Sequence, residues 1–398
     1  MRGGGGKIPA HWEVKRLRHI FKEVSIKKCG NEQQLCATQS YGVIPKKLYS
    51  YKTVEVISSD LNSFKLVKKD NFVISLRSFE GGIEHSNYQG IISPAYTILE
   101  PQVEIYSFYF KFLFKSSFFI STLNIHKIGI REGQNISYAS LQYTPIPLPP
   151  LQEQKEIAEF LDSKCEKIQN YIDKKQKLIT LLQEKKQALI NEAVTKGLNP
   201  NIESKNSGIE YLGLIPHHWE VRRMKFMASI HNGREQTEIA DENGIYPIYG
   251  SGGILGKSMY FIYDKPSVLL GRKGTIDKPL FVEEPFWTID TMFYTSISKI
   301  VLPKYFYYLC LTIDFQFYIS GSAIPSMTQY DLANISFALP PLQEQKQIAN
   351  FLDEKCEKIN SAIEKTKRQI ELIKEYKNTL INEAVCGRIN FLEGILNE

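Results

Sequence analysis

Residues 149–194 read PPLQEQKEIAEFLDSKCEKIQNYIDKKQKLITLLQEKKQALINEAV, and residues 340–385 read PPLQEQKQIANFLDEKCEKINSAIEKTKRQIELIKEYKNTLINEAV. The two copies align without gaps at a constant offset (342 − 151 = 191), and 29 of their 46 positions are identical. Solenoid repeats recur every 20–50 residues, roughly, so a period this long indicates a duplicated unit of domain size. The chain is therefore predicted to be a pseudo-dimer made in one piece.

A second, shorter repeat marks the start of each half. Residues 8–14 read IPAHWEV and residues 215–221 read IPHHWEV, at an offset of 207 (219 − 12). The stretches between this opener and the long block measure 139 residues (151 − 12) and 123 residues (342 − 219), and they share little sequence. Similar ends around dissimilar middles predict one scaffold that carries two different working surfaces.

Bulk composition is that of a globular protein. The 398 residues are 43% hydrophobic and 23% charged, which suits roughly two to four domains. The six cysteines show no CxxC spacing, no run of about 18 uncharged apolar residues occurs, and residues 1–7 do not resemble a signal peptide. We therefore expect a cytoplasmic chain with reduced thiols and no membrane partner. A net charge of +6 permits a polyanionic ligand without requiring one.

The long block has the heptad spacing of a coiled coil. Apolar residues recur at alternating steps of 4 and 3, which predicts a left-handed supercoil of helices about 43 residues and 65 Å long. The predicted seam comprises Leu161, Ile168, Ile172, Ile179, Leu182 and Leu189 in the first copy, and Leu352, Ile359, Ile363, Ile370, Ile373 and Leu380 in the second. Paired prolines before each block and Gly197 and Gly387 after it predict the helix ends.

Each helix has an obvious partner in the other copy. A pseudo-two-fold axis would make the pair antiparallel and place Cys165 and Cys356 toward opposite ends, so no disulfide is expected between them. Lys186 and Lys377 occupy the same seam position in both copies. Either their stems extend past the seam into solvent, or they fix its register as polar seam residues can.

The dissimilar stretches combine short β-rich runs with glycine-bearing turns. Examples of the runs are residues 72–76, 246–249 and 267–270, and polar turns follow at 77–82 and 271–275. Arginine and lysine in such turns could contact phosphates or guanine edges, although most Gly-Arg turns only connect strands. The aromatic rows 106–110 and 305–308 could stack on bases, but their spacing favours a buried helix in each half.

Known catalytic motifs are missing from the sequence. No Pro-Asp dipeptide opens a PD…ExK nuclease site, neither Pro-Pro pair lies in an amino-methyltransferase setting, and GSGG at 250–253 lacks the spacing of a nucleotide-binding loop. The seven histidines show no metal-binding spacing. The chain is thus predicted not to be an enzyme by itself.

Together these motifs resemble a known family. The duplicated LPPLQEQ block, the IPxHWEV openers, GSGGI at 250–254, GRKGT at 271–275, GIISPAYT at 90–97 and SMTQYDL at 326–332 are similar to the specificity (S) subunit of type I restriction–modification systems. The match covers essentially the whole chain. One departure is the N-terminus, where only MRGGGGK precedes the first opener.

The resemblance implies an α+β fold with two mixed α/β target recognition domains. Two long helices that form an antiparallel coiled coil join them, with a pseudo-two-fold internal repeat. The expected segments are a first recognition domain (1–145), a first spacer helix (146–197), a linker with the second recognition domain (198–337), and a second spacer helix with a C-terminal tail (338–398).

The resemblance also implies a function and partners. Each recognition domain would read half of a bipartite double-stranded DNA site, and the helices would set the spacer and dock two methyltransferase (M) subunits. S-adenosylmethionine would bind the M subunits for adenine methylation, and ATP and Mg would serve the restriction (R) subunits. No cofactor is expected in this chain. By analogy the DNA contacts would be Arg77, Ser78, Glu80, Arg131, Gln134 and Asn135 in the first domain, and Ser251, Arg272, Lys273, Ser326, Thr328 and Gln329 in the second.

Two alternatives belong to other functional classes. A coiled-coil scaffold or adaptor with no DNA role would explain the helices, but not two dissimilar loop-rich units. A single-chain restriction–methylation enzyme would need the catalytic motifs that the sequence lacks.

Overall fold

The computed structural model describes residues 8–49, 61–76, 78–128, 135–318 and 325–389. Contacts group the chain into two units: unit 1 combines residues 1–175 with 368–398, and unit 2 comprises residues 176–367. This grouping differs from chain order, because each unit contains one globular body and parts of both long helices.

Unit 1 contains short strands and helices ahead of the first long helix. The strands are β1 (Glu13–Arg16), β2 (Phe21–Val24), β3 (Leu35–Thr38), β4 (Gly42–Pro45), β5 (Lys65–Val67), β6 (Phe72–Ile74), β7 (Glu84–His85), β8 (Gly90–Ile92), β9 (Thr97–Pro101), β10 (Lys127–Ile128), β11 (Asn135–Ile136) and β12 (Pro145–Leu148). The helices are α1 (Ser78–Gly81), α2 (Ser107–Leu113), α3 (Ser117–Ile125), α4 (Tyr138–Leu141) and the start of α5 (Leu151–Lys196).

Unit 2 follows the same plan. Its strands are β13 (Ser204–Asn206), β14 (Leu214–Pro216), β15 (Glu220–Arg223), β16 (Ala228–Asn232), β17 (Tyr246–Gly250), β18 (Gly253–Ser258), β19 (Ser267–Gly271), β20 (Leu280–Val282), β21 (Trp287–Thr288), β22 (Met292–Ile297) and β23 (Ser336–Leu339). Its helices are α6 (Pro303–Cys310), α7 (Gln329–Asn334) and the start of α8 (Leu342–Val385).

The dissimilar middles have the same topology. Unit 1 has a four-stranded sheet in the order β2-β9-β6-β7, and unit 2 has one in the order β16-β22-β19-β20. Each unit adds an antiparallel hairpin, β3–β4 or β17–β18. The opener strand pairs antiparallel with the strand before the long helix, β1 with β12 and β15 with β23. The duplication therefore includes the middles, where little sequence identity survives.

In unit 1 the repeated LQEQ motif forms hydrogen bonds to the opener and to the start of α2. The Trp12 indole N–H donates to Glu153 at 2.9 Å. Gln154 is buried; its side-chain oxygen accepts from the Tyr106 N–H at 2.9 Å, and its amide donates to the Pro149 carbonyl at 2.9 Å. Because Tyr106 is the N-cap of α2, the glutamine satisfies a backbone donor that the helix leaves unpaired.

Unit 2 repeats these contacts. The Trp219 indole N–H donates to Glu344 at 3.1 Å. Buried Gln345 accepts from the Leu302 N–H at 2.8 Å, at the N-cap of α6, and donates to the Pro340 carbonyl at 2.8 Å. The two copies of the motif thus hold the opener and the aromatic helix of their own unit.

Buried tyrosines tie each globular body to the end of the other long helix. Tyr109 of α2 donates to the Val385 carbonyl at 3.2 Å, and Tyr305 of α6 donates to the Val194 carbonyl at 3.5 Å. Both aromatic rows are core helices as predicted, since the Tyr109 and Tyr305 side chains are inaccessible to solvent. In each unit, therefore, one long helix begins at the body and the other ends there.

The predicted seam positions are the less accessible positions of both long helices. Every predicted seam residue of α5 and α8 is buried or half-buried, and most residues between the seam positions are exposed. In unit 1 the residues near Leu161 pack with those near Leu380, so the two helix segments are antiparallel there. Lys186, whose stem lies at the seam, donates to the exposed Asn360 side chain at 2.9 Å in unit 2.

The predicted helix ends are also confirmed. α5 stops before Gly197 and α8 stops before Gly387, with φ of +75° and +69°. A Cβ at Gly387 would lie 2.4 Å from the Pro9 ring, so the glycine is needed for both its backbone angle and the close approach. All six cysteines are free, as expected for Cys165 and Cys356.

Candidate nucleic-acid interface

Four loops of unit 2 converge at one edge of its sheet. We call residues 251–252, 272–274, 290–291 and 325–327 the loop cluster. The Ser251 N–H donates to the Thr291 hydroxyl at 3.3 Å, and the Arg272 N–H donates to the Thr291 carbonyl at 2.9 Å. Lys273 forms an isolated β-bridge with Ser326. Four of the predicted contacts, Ser251, Arg272, Lys273 and Ser326, thus lie together although 75 residues (326 − 251) separate the first from the last.

Gly274 allows this convergence. It has a φ of +82°, and a Cβ there would lie 3.1 Å from the Ser251 hydroxyl. Its N–H donates to the Pro325 carbonyl at 2.9 Å. A side chain at this position would strain the backbone and press on Ser251, so the GRKGT turn requires glycine here.

The loop cluster contains two cationic side chains, Arg272 and Lys273, and the protein holds the first more tightly than the second. Arg272 is half-buried, and one of its terminal nitrogens donates to the Asp290 carbonyl at 3.2 Å. Since a guanidinium has five donor hydrogens, most remain for a ligand while the contact limits the side chain's rotation. Lys273 is exposed, and within the described ranges it has no carboxylate within ion-pair distance. The arrangement suits an acceptor-rich, anionic ligand such as the edge and backbone of duplex DNA.

Two other predicted contacts make local hydrogen bonds. The Thr328 hydroxyl accepts from the Asp331 N–H at 3.1 Å and donates to the Asp331 carboxylate at 2.5 Å, which caps α7. The Gln329 amide donates to the Ile230 carbonyl at 3.4 Å. These contacts explain both residues within the protein, and their role as DNA contacts stays a prediction.

The first set of predicted contacts is only partly described. Arg77, Arg131 and Gln134 lie outside the described residues, and Asn135 is described only as backbone, paired with Ile128 in the β10–β11 ladder. Ser78 is buried, and its hydroxyl accepts from the Ser75 N–H at 2.8 Å at the start of α1. Glu80 is exposed on α1. For this unit the DNA contacts stay predictions.

A buried ion pair lies behind the β3–β4 turn of unit 1. Glu84 is almost inaccessible and pairs with the ammonium of Lys115, which also donates to the Gln39 carbonyl at 3.1 Å. Burial raises the pKa of Glu84 to about 7, although the charge of Lys115 and its hydrogen bond act in the opposite direction. Lys115 thus links the sheet to a turn that ends in exposed Tyr41.

Neighbouring His85 is held in a similar way. Its imidazole Nε2 lies 3.0 Å from the Asp70 carboxylate. Burial lowers the pKa of His85, and the hydrogen bond to Asp70 partly offsets that effect. Together the two pairs tie β7 to Asp70, which precedes β6, and to Lys115, which follows α2.

Sequence reasoning missed an apolar group beside the loop cluster. Five side chains of β18 and the segment after it are exposed: Ile254, Leu255, Met259, Tyr260 and Phe261. A Cβ at Gly250 would lie 2.6 Å from the Leu255 side chain, which therefore lies over the hairpin. The detectable signal was an Ile-Leu pair directly after a glycine turn, where polar residues are usual.

Among the described residues no group of three or more His, Cys, Asp or Glu side chains could hold a metal ion. No helix in the described ranges is both long and apolar enough to cross a membrane.

The fold is that of a two-unit α+β protein, and the loop cluster at one sheet edge is suited to an anionic ligand. Comparison with known proteins identifies the family. The model of the type I restriction modification DNA specificity domain matches residues 9–182 and 216–372, so the chain belongs to this family of specificity subunits. The MjaVIII specificity subunit of Methanocaldococcus jannaschii is 25% identical, over 97% of this chain and 94% of that one. The EcoDI specificity subunit of Escherichia coli is 22% identical over 44% of this chain and 40% of its own.

Solved structures agree on the fold. A chain from a study of complex assembly and conformational transition of the type I R-M system aligns with a TM-score of 0.75 at 14% identity, covering 96% of this chain and all of that one. The HsdS subunit from Thermoanaerobacter tengcongensis aligns with a TM-score of 0.54 at 16% identity, over 98% of this chain and all of its own. The predicted α+β fold with an internal repeat is confirmed.

Proposed function

We propose that this specificity subunit reads a bipartite, asymmetric DNA site, with each unit contacting one half. The observation that carries the proposal is that two units of one topology hold different residues at equivalent loops. Arg272, Lys273 and Gly274 follow β19 of unit 2, and helix α1 follows β6 of unit 1. Equal scaffolds with unequal loops suit two half-sites of different sequence.

The helices would set the distance between the half-sites. α5 and α8 each run without interruption through parts of both units, over 46 and 44 residues. At about 1.5 Å per residue, each helix is on the order of 65–70 Å long. A continuous helix gives the spacer a length determined by residue number, and its exposed faces would dock two methyltransferase subunits.

Catalysis would belong to the partners. The methyltransferase subunits would bind S-adenosylmethionine and methylate adenine, and the restriction subunits would use ATP and Mg for translocation and cleavage. This chain would contribute recognition and assembly without a catalytic group or a cofactor of its own. Its relatives carry the name of type I restriction enzyme specificity subunits, which supports that division of labour.

Methylome sequencing of cells that express this chain with its methyltransferase subunit tests the proposal. The wild-type motif should have two defined halves around an unspecified spacer. Arg272→Ala should weaken recognition of only the unit 2 half, by about 1–3 kcal/mol per base pair if the guanidinium binds one guanine. The control Arg388→Ala changes an exposed arginine beyond the end of α8 and should leave the motif intact. An unaltered motif in the Arg272 variant would exclude that residue as a base contact.

A further inference from the structure

Cations recur at equivalent positions directly after the two openers. Aligned at the opener's offset of 207 (219 − 12), EVKRLRH at 13–19 matches EVRRMKF at 220–226. We call the aligned cations the basic strip: Lys15, Arg16 and Arg18 in unit 1, and Arg222, Arg223 and Lys225 in unit 2. All three positions keep a positive charge although the residue type differs at two of them, so charge is the shared property.

Local structure fixes these side chains at the surface. In both units the strip begins on the opener strand, β1 or β15, and continues into a 3-10 turn. Leu17 and Met224 occupy equivalent positions in that turn and are completely buried. These apolar anchors leave the flanking cations outside, and Arg16, Arg223 and Lys225 are exposed.

Most of the strip's charge is unneutralised. Lys15 pairs with Glu13 at 2.6 Å, and Arg222 pairs with Glu220 at 2.7 Å, both along the same strand. Across the described part of the chain, the other four members have no carboxylate within ion-pair distance. Each unit therefore presents two free cations at the same place in its fold.

Aromatic side chains accompany the cations. Tyr143 is half exposed and lies 5.0 Å below the Arg18 guanidinium, and Phe226 is half exposed and lies 5.5 Å from the Lys225 ammonium. Such contacts hold a cation in place without neutralising it. In unit 2 the strip also borders a shallow pocket, lined by Ile209, Arg222, Arg223, Phe226 and Ser336 among others.

The strip of unit 2 is connected to the loop cluster through α7. The Met327 N–H donates to the Arg272 carbonyl at 2.9 Å just before α7, and the Met224 N–H donates to the Ile335 carbonyl at 2.8 Å just after it. Both surfaces therefore belong to one hydrogen-bonded part of unit 2.

We propose that the basic strip is a second DNA-binding surface that contacts backbone phosphates regardless of base sequence. The inference rests on the proposed function and deepens it. Variable loops would read bases, while the strip, which belongs to the repeated scaffold, would bind phosphates beside each half-site. A duplicated phosphate contact fixes the position of each unit on DNA without restricting the sequence that its loops recognise.

The test uses the assembled complex of this chain with its methyltransferase subunits. Two double variants remove the free cations of one unit each, Arg16→Gln with Arg18→Gln and Arg223→Gln with Lys225→Gln. Lys69→Gln with Lys265→Gln is the matched control, because it removes the same charge from exposed positions that precede β6 and β19, at the ends of those strands away from the loops that follow them. Binding is measured to the cognate duplex and to a random duplex over a range of salt concentrations.

Each strip variant should bind both duplexes more weakly, with the slope of log K against log salt reduced by about 2, since each lost phosphate contact removes about 0.9. The ratio of cognate to random binding should stay constant, and Arg16→Lys with Arg18→Lys should restore the slope. An unchanged slope, or a loss confined to the cognate duplex, would overturn the inference. So would loss of the methyltransferase subunit at an unchanged slope, which would make the strip a protein-docking surface. The proposed function itself fails separately, if the wild-type complex does not prefer the cognate duplex.

Discussion

At the residue scale, the two glutamines of the repeated LQEQ motif have different roles. Gln154 is buried and bonded to two backbone groups, whereas Gln152 is exposed and donates to Glu156, one turn away on the same helix. A buried polar group that loses its partner costs about 1–3 kcal/mol, whereas surface changes usually cost less than about 0.5. Of the two glutamines, therefore, Gln154 makes a contact that stabilises the fold and Gln152 does not.

This difference gives a stability prediction. Gln154→Ala should lower the free energy of unfolding by about 1–3 kcal/mol, because the Tyr106 N–H and the Pro149 carbonyl lose their partner. Gln152→Ala, two residues away, should change it by less than about 0.5 kcal/mol. Denaturant unfolding followed by circular dichroism measures both variants. Equal losses in the two would show that the buried glutamine does not hold α2.

The buried carboxyl of Glu84 predicts a pH dependence. Its pKa of about 7 in the folded chain lies above the value of about 4.3 for an unfolded chain, so the folded state binds the extra proton between these values. The stability that Glu84 contributes is therefore complete at low pH and is lost as the pH rises to about 7. The melting temperature of wild type minus that of Glu84→Gln should be larger at pH 5 than at pH 7.5.

Glu100 is the control for this effect. Hydrogen bonds from Lys68 and Lys22 lower its pKa, so its contribution should be lost as the pH falls. The melting temperature of wild type minus that of Glu100→Gln should accordingly be smaller at low pH. If the Glu84 and Glu100 variants showed the same trend, burial would not control the titration of Glu84.

At the element scale, the long helices were the most predictable part of the chain. Heptad spacing, paired prolines and terminal glycines all act locally, so α5 and α8 and their seam could be read from the sequence. The β6, β17 and β19 runs were also found, because short β-rich segments end in glycine turns. The loop cluster could be predicted only residue by residue. Asp290 and Thr291, which hold Arg272, are distant in sequence and carry no motif.

The helices give a prediction about spacing. Removing 174–180 from α5 and 362–368 from α8 takes one heptad from each and keeps the seam in phase. At about 1.5 Å per residue each helix shortens by about 10 Å, which is about three base pairs of DNA. Methylome sequencing should return the same two half-sites with a spacer shorter by about three base pairs.

The control for the spacing prediction breaks the seam. Removing four residues from each helix, 174–177 and 365–368, puts apolar and charged residues out of phase and should lower the melting temperature of the complex. A seven-residue deletion that methylates at the parental spacing would show that the helices do not measure the site.

At the scale of the whole molecule, the two units share a topology that their sequences conceal. The strand orders β2-β9-β6-β7 and β16-β22-β19-β20 are equivalent, and the same tryptophan, glutamate and glutamine contacts close both units. Sequence comparison could find only the ends of the repeat, because many different apolar residues can fill one core. The middles therefore differ in their cores as well as in their loops, and the proposed specificity lies in the loops.

The central claim is that the middles, and not the repeated ends, decide which DNA is read. Replacing residues 227–335 of unit 2 with residues 20–144 of unit 1 tests it directly, because both junctions fall at equivalent hydrogen-bonded positions beside the opener turn. Methylome sequencing with the methyltransferase subunit should return a motif in which the unit 1 half-site is present twice and the unit 2 half-site is absent. A motif that still contained the original unit 2 half-site would contradict the account.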